Sequence, residues 1–141
     1  MLGWLANRFS WFTDRRGTAA VEFALVVPVL LLVTLGVIDT GRMMWVASTL
    51  DHAAREGARY ARLRGAESSH PVTDRNVEAY VRNRAVGMNA DVVSVAVTWS
   101  PNAYSGSSVT VRVSASFDFL SIGFLRLEPI RLEGASTMVV V

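Results

Sequence analysis

Residues 19–38 read AAVEFALVVPVLLLVTLGVI, an apolar run whose one charge is Glu22. Twenty helical residues rise about 30 Å, the thickness of a bilayer's hydrocarbon core. The stretch predicts a membrane-crossing helix. A removable export signal carries an apolar run of about 7–15 residues, closed by a small-x-small triplet. Here residues 23–38 are uncharged throughout, and Asp39-Thr40-Gly41-Arg42 offers no such triplet. The run therefore reads as a retained anchor. Pro28 and Gly36 within it are residue types common in membrane helices, and Pro28 is a kink point.

The flanks orient the span. Arg8, Arg15 and Arg16 precede it, whereas Arg42 and Asp39 follow closely. The positive-inside rule puts the N-terminus in the cytoplasm and residues 39–141 outside. The same leader explains the basic balance. The chain has 141 residues and a formal charge of +2, and residues 1–17 hold that whole excess. From Thr18 onward arginines and carboxylates balance, so no basic face marks a nucleic-acid footprint. There is no cysteine, which excludes disulfides and thiolate metal sites.

Beyond Ile38 no strong helix breaker appears before Gly65. Met43, Val46/Ala47, Leu50, Ala54, Gly57/Ala58 and Ala61 recur at helical spacing. Asp51–Arg55 and Glu56–Arg59 pair on the opposite side, and Arg55, Arg59 and Arg62 read as a solvated face. A single helix of roughly 45 residues, about 70 Å long, follows from this pattern. Its apolar stripe is small: Ala47, Ala54, Gly57, Ala58 and Ala61 form a helix packing seam. Such a seam serves either the chain's own domain or neighbouring subunits, because small residues admit close approach.

After the loop RGAESSHP (64–71), a second helix is predicted from an N-cap at Thr73 to about Gly87, with Val77, Tyr80/Val81 and Ala85 on one side. The period then changes from 3.6 to 2. Val93, Val95, Val97 and Trp99 alternate in one strand. Val109, Val111, Val113, Ala115, Phe117 and Phe119 alternate in a second, half-buried one. A hydrophobic connector, LSIGFLRLEP, leads into a last strand, IRLEGASTMVVV. Within the connector Ile122, Phe124 and Leu125 are either core or an exposed contact patch. The fold class is α+β: a long N-terminal transmembrane helix extending into an outer domain with a second helix and a small antiparallel sheet of about three strands. A sheet that small needs cover on its apolar face.

Little in the sequence asks for catalysis. His52 and Glu56 are spaced i,i+4, but zinc wants three or four ligands and the other histidine, His70, lies in a loop. There is no nucleophile elbow, phosphate loop or dinucleotide fingerprint. No enzyme activity, metal or cofactor is expected.

Glu22 remains to be explained. An acidic residue suits the first turn of a helix, where the dipole is positive. Near the interface a charge also costs well below the roughly 2.5–3.5 kcal/mol of the span centre. A more specific pattern surrounds it. A basic leader ends at Gly17, a glutamate follows five residues on, Phe23 is next, and a span begins. This resembles the processing site of type IV prepilins. RRGTAAVEFALVVPVLLLVTLGVID resembles most closely the TadE-like family of tight-adherence (Flp) pilus assembly proteins, and the resemblance extends through LDHAAREGARYARLRG toward the strands.

That resemblance implies cleavage between Gly17 and Thr18 by a membrane-embedded prepilin peptidase on the cytoplasmic side. Glycine before the scissile bond permits the extended backbone a protease needs. Cleavage would remove Arg15 and Arg16 and create an ammonium at Thr18, available to Glu22 within one chain or between neighbours. Major Flp pilins are very short and carry Glu-Tyr, whereas Glu22-Phe23 here precedes a domain of about 100 residues. That departure suits a minor pseudopilin assisting assembly of tight-adherence (type IVb) pili or a related secretion pseudopilus.

The implied domains are a cytoplasmic basic leader (1–17), a transmembrane start of the long helix (18–38) and an extracytoplasmic TadE-like α+β domain (39–141). The implied location is the cytoplasmic (inner) membrane, with a periplasmic or extracellular outer domain. The implied partners are the membrane, the prepilin peptidase, other pilins or pseudopilins and the assembly platform, with no nucleic acid. An uncleaved single-pass protein with a ligand- or partner-binding outer domain is the alternative. A membrane-tethered enzyme is a third reading.

Overall fold

The computed structural model describes residues 15–85, 87–121 and 128–141. Residues 1–14 of the leader, and Ile122, Phe124 and Leu125 of the connector, lie outside them. The chain divides into two units between Ile38 and Asp39.

In the first unit the helix α1 (Arg15–Arg62) begins, and its assignment is unbroken at Pro28. Pro28 has no N–H to donate to the Ala24 carbonyl. Further along, the Thr34 hydroxyl donates to the Leu30 carbonyl at 2.8 Å, a bond that hides a polar group inside an apolar run. Val21, Phe23, Leu25, Val29, Leu30 and Val33 are all exposed. Among the described residues no protein surface covers these side chains, and the helix is long and apolar enough to cross a membrane.

The second unit is the α+β domain expected. It contains the rest of α1, the helix α2 (Asp74–Arg84) and the strands β1 (Val93–Ser100), β2 (Ser108–Phe117) and β3 (Ile130–Val139). The sheet is antiparallel in the order β1-β2-β3, with Val97 opposite Val111 and Val113 opposite Gly134. Val109, Val111, Val113, Ala115 and Phe117 are buried, as their alternation requires. On the other face Thr110 pairs with Thr137 at 2.8 Å and Arg112 with Glu133 at 3.2 Å. Such exposed pairs contribute little beyond register.

The core lies where α1 and α2 cover β2. Leu50, Ala53, Ala54, Ala58 and Ala61 of α1, with Val77 and Val81 of α2, close on Val109, Val111 and Val113. Ala54, Gly57, Ala58 and Ala61 are thus consumed inside the domain, while Ala47 stays half-buried. A Cβ on Gly57 would collide with Val81 and lie 3.2 Å from the Val111 Cγ1. Gly134 is tighter still: an added Cβ would stand 2.6 Å from the Asp51 amide nitrogen and 2.7 Å from the Leu50 carbonyl carbon. At Gly134 the helix backbone rests directly on the sheet.

Helix α2 is pinned at both ends. Thr73 is its N-cap in extended conformation but makes no side-chain cap bond; its carbonyl accepts from the Asn76 and Val77 amides instead. The Trp99 indole N–H donates to Asp74 Oδ1 at 2.8 Å, tying the start of α2 to the end of β1. The Tyr60 and Tyr80 rings stack at 4.2 Å, with Arg64 over one and Arg84 over the other.

Three boundaries fall short of those read from periodicity. Helix α2 ends at Arg84 rather than near Gly87, because Gly87 turns with φ +80 under the Trp45 ring. Strand β2 ends at Phe117 and excludes Phe119, because the chain there turns toward α1. Strand β3 ends at Val139: Val140 bonds instead to Ser107, and Val141 to Arg62.

Candidate functional site

Gly17, Thr18, Glu22 and Phe23 all lie on α1. Thr18 and Glu22 are exposed and one helical turn apart, on the same side of the helix. Phe23 is 69% exposed. Gly17 is helical, and a Cβ placed on it meets nothing within 4 Å. A protease cutting after Gly17 must first unwind this turn, for which glycine is well suited. Seven helical residues precede Glu22, so the first-turn dipole account does not apply to the uncleaved chain. In a chain beginning at Thr18, Glu22 would be the fifth residue, close to both the dipole and the new ammonium.

His52 is exposed and Glu56 half-buried, and the described residues contain no group of three His, Cys, Asp or Glu able to hold a metal. A recess beside β2 and β3 gathers Asp91, Ser114, Ser116 and Arg131. Its arginine already donates to the Ser114 hydroxyl at 2.7 Å.

The most organised polar cluster surrounds Asp39, the first residue after the span. Asp39 is only 3% exposed. Its Oδ1 accepts from the Leu120 amide and from the Arg42 guanidinium, both at 3.0 Å. Its Oδ2 accepts from the Ser121 amide and the Ser121 hydroxyl, both at 2.7 Å. Arg42 also reaches the Asp118 carbonyl at 3.4 Å and lies over the Phe117 ring. One carboxylate thus ties the chain leaving β2 to the helix just outside the span.

The Ser121 hydroxyl does most to hold the Asp39 carboxyl at about 2, below its ordinary 3.8. Burial opposes this, while the Ser121 and Leu120 amides and Arg42 reinforce it. An acid this strong stays ionised at neutral pH and shuttles no proton there; its role is to position.

The pH dependence follows. A carboxylate whose folded pKa is lowered stabilises fully above its unfolded value and loses that contribution as pH falls through the folded value. The tie at Asp39 is therefore expected to weaken between about pH 4 and 2. Hydrogen exchange at the Leu120 and Ser121 amides would accelerate across that window, and Asp39→Asn would remove the step. An unchanged step in Asp39→Asn would assign it to another group.

Residues 17–59 match the family of TadE-like proteins. No curated protein and no solved structure matches the chain significantly. The TadE-like segment begins at Gly17 and takes in Glu22, the apolar run, Asp39 and most of the small-residue seam.

In the sequence Asp39 is only a companion charge to Arg42. Its partners Leu120 and Ser121 lie more than eighty positions away, in a connector without periodicity, so no local pattern announces them. The sole local signal is the Asp39–Arg42 spacing of i,i+3 directly after the apolar run.

Proposed function

We propose that this chain is a non-enzymatic minor pseudopilin of the cytoplasmic membrane, assisting assembly of a tight-adherence pilus or related pseudopilus. The observation carrying this reading is the position of the TadE-like match, which opens on Gly17 and runs through the span. A prepilin peptidase on the cytoplasmic side cuts between Gly17 and Thr18. The leader leaves with Arg15 and Arg16, and Thr18 gains an ammonium one turn from Glu22.

Before cleavage Glu22 lies at the membrane edge near a basic leader; afterwards its partner is the Thr18 ammonium of its own chain or of a neighbouring subunit. A paired charge near the interface costs less than a lone one. The outer domain, periplasmic or extracellular, carries Ala54, Gly57, Ala58 and Ala61 of the seam inside its own core. Contacts with pilins and the assembly platform therefore fall to the exposed span and to outer surfaces other than that seam.

Glu22→Ala tests the reading. In cells lacking their own copy of this protein, the variant is expected to fractionate with the membrane as the parent does, yet to restore few or no pili. Parental pilus numbers with Glu22→Ala would contradict it. The helical state of Gly17 favours a second reading, an uncleaved single-pass protein, and the N-terminus of the mature chain separates the two.

A further inference from the structure

Leu120 is 56% exposed, yet its backbone is held by a buried carboxylate. Its amide lies 3.0 Å from Asp39 Oδ1, and Asp39 directly follows the last residue of the span. Adding the side-chain reach of Asp39 and one Cα–Cα step puts the Leu120 amide within about 10 Å of the Ile38 Cα. This limit is set by bonds and hydrogen bonds alone, so it holds for any tilt of the helix. The headgroup layer on each side of the hydrocarbon core is roughly 5–8 Å thick.

We propose that the chain leaving β2 docks on the outer face of the bilayer through Leu120, with Asp39 as the positioning residue. It rests on the reading of residues 19–38 as a membrane span. The occupant is the headgroup–acyl boundary, where an exposed leucine loses contact with water. The half-buried Phe119 precedes it and packs edge-on to Phe117 at 5.3 Å, which stiffens the approach. Anionic lipid is not required. Arg42 is already engaged by Asp39 and by the Asp118 carbonyl, and the exposed Asp118 carboxylate would disfavour a negative surface.

The parent chain has no cysteine, so single-cysteine variants of the full chain carry one probe each. An environment-sensitive fluorophore is attached to Val29→Cys, Leu120→Cys or Ser105→Cys in phosphatidylcholine vesicles containing lipids spin-labelled at the headgroup or deep in the chain. Ser105 lies beyond the Ser108 end of β2, roughly 30 Å along the strand from the Phe117 end.

The probe at 29 should be quenched by the deep label and the probe at 120 by the headgroup label, while the probe at 105 stays near its level in water. Adding Asp39→Asn should drop quenching at 120 to the level at 105 without changing quenching at 29. Quenching at 29 with none at 120 would overturn the docking alone, whereas no quenching at 29 would overturn the span reading beneath it. Quenching at 120 that survives Asp39→Asn would overturn the role given to Asp39. A blue-shifted but unquenched probe at 120 would mean a protein contact and would also overturn the proposal.

Discussion

Gly134→Val is expected to unfold the outer domain, or to leave it molten, at temperatures where the parent is fully folded. A Cβ at this position would stand 2.6 Å from the Asp51 amide nitrogen and 2.8 Å from its Oδ1. Two of its nearest neighbours, the Asp51 nitrogen and the Leu50 carbonyl carbon, are helix backbone, so no rotamer change relieves the clash. The helix must lift from the sheet, and the contacts around Leu50, Ala53 and Ala54 are lost with it.

Overpacking typically costs about 1–3 kcal/mol and more when backbone must move. For a domain of this size each kcal/mol shifts the midpoint by roughly 4–8 °C. Gly134→Ala should lower the thermal midpoint by the smaller of these amounts and Gly134→Val should abolish a cooperative transition, as read by near-ultraviolet circular dichroism in detergent. Gly41→Ala is the control. It is helical with nothing within 4 Å of an added Cβ, so it should be neutral or stabilise by up to about 1 kcal/mol. Equal melting of Gly134→Val and parent would mean that α1 does not rest on β3 there.

Gly17→Leu should abolish maturation. A Cβ at Gly17 meets nothing within 4 Å among the described residues, so the substitution is expected to leave the outer domain folded and the apolar helix in place. It acts in two ways on the peptidase. It fills the space where the protease backbone must approach, and it stabilises the local helix by nearly 1 kcal/mol, which opposes the unwinding needed for cleavage. A full-length chain should accumulate in the membrane at the parent's level. Normal processing of Gly17→Leu would place the cut elsewhere.

Most of the architecture was legible because periodicity was strong. Residues 19–38 form a helix long and apolar enough to cross a membrane, and the strict alternation from Val109 to Phe117 set one face of β2 against the helices. Ala54, Gly57, Ala58 and Ala61 stood out as a seam, and their small size is what lets α1 approach β2. Gly134 carries no such signal, because an isolated glycine in a strand has many causes. Only its partner across the core, the backbone at Leu50 and Asp51, gives the reason.

Element ends were read less well. The alternation through Phe119 continues past the end of β2, since apolar spacing cannot register that Asp39 draws the chain away at Asp118. The charge cluster at Asp39 has the same character. It joins residues remote in sequence, and neither end carries a motif. The proposal at Gly17 and Glu22 rests on the opposite kind of pattern, one that is wholly local in the sequence.

Maturation at Gly17 would leave Glu22 one turn inside a new N-terminus, which mass spectrometry of the chain produced with and without an active prepilin peptidase would detect. A mature chain beginning at Thr18 is expected when the peptidase is present and the full-length chain when it is absent. A chain retaining residues 1–17 beside an active peptidase would contradict it.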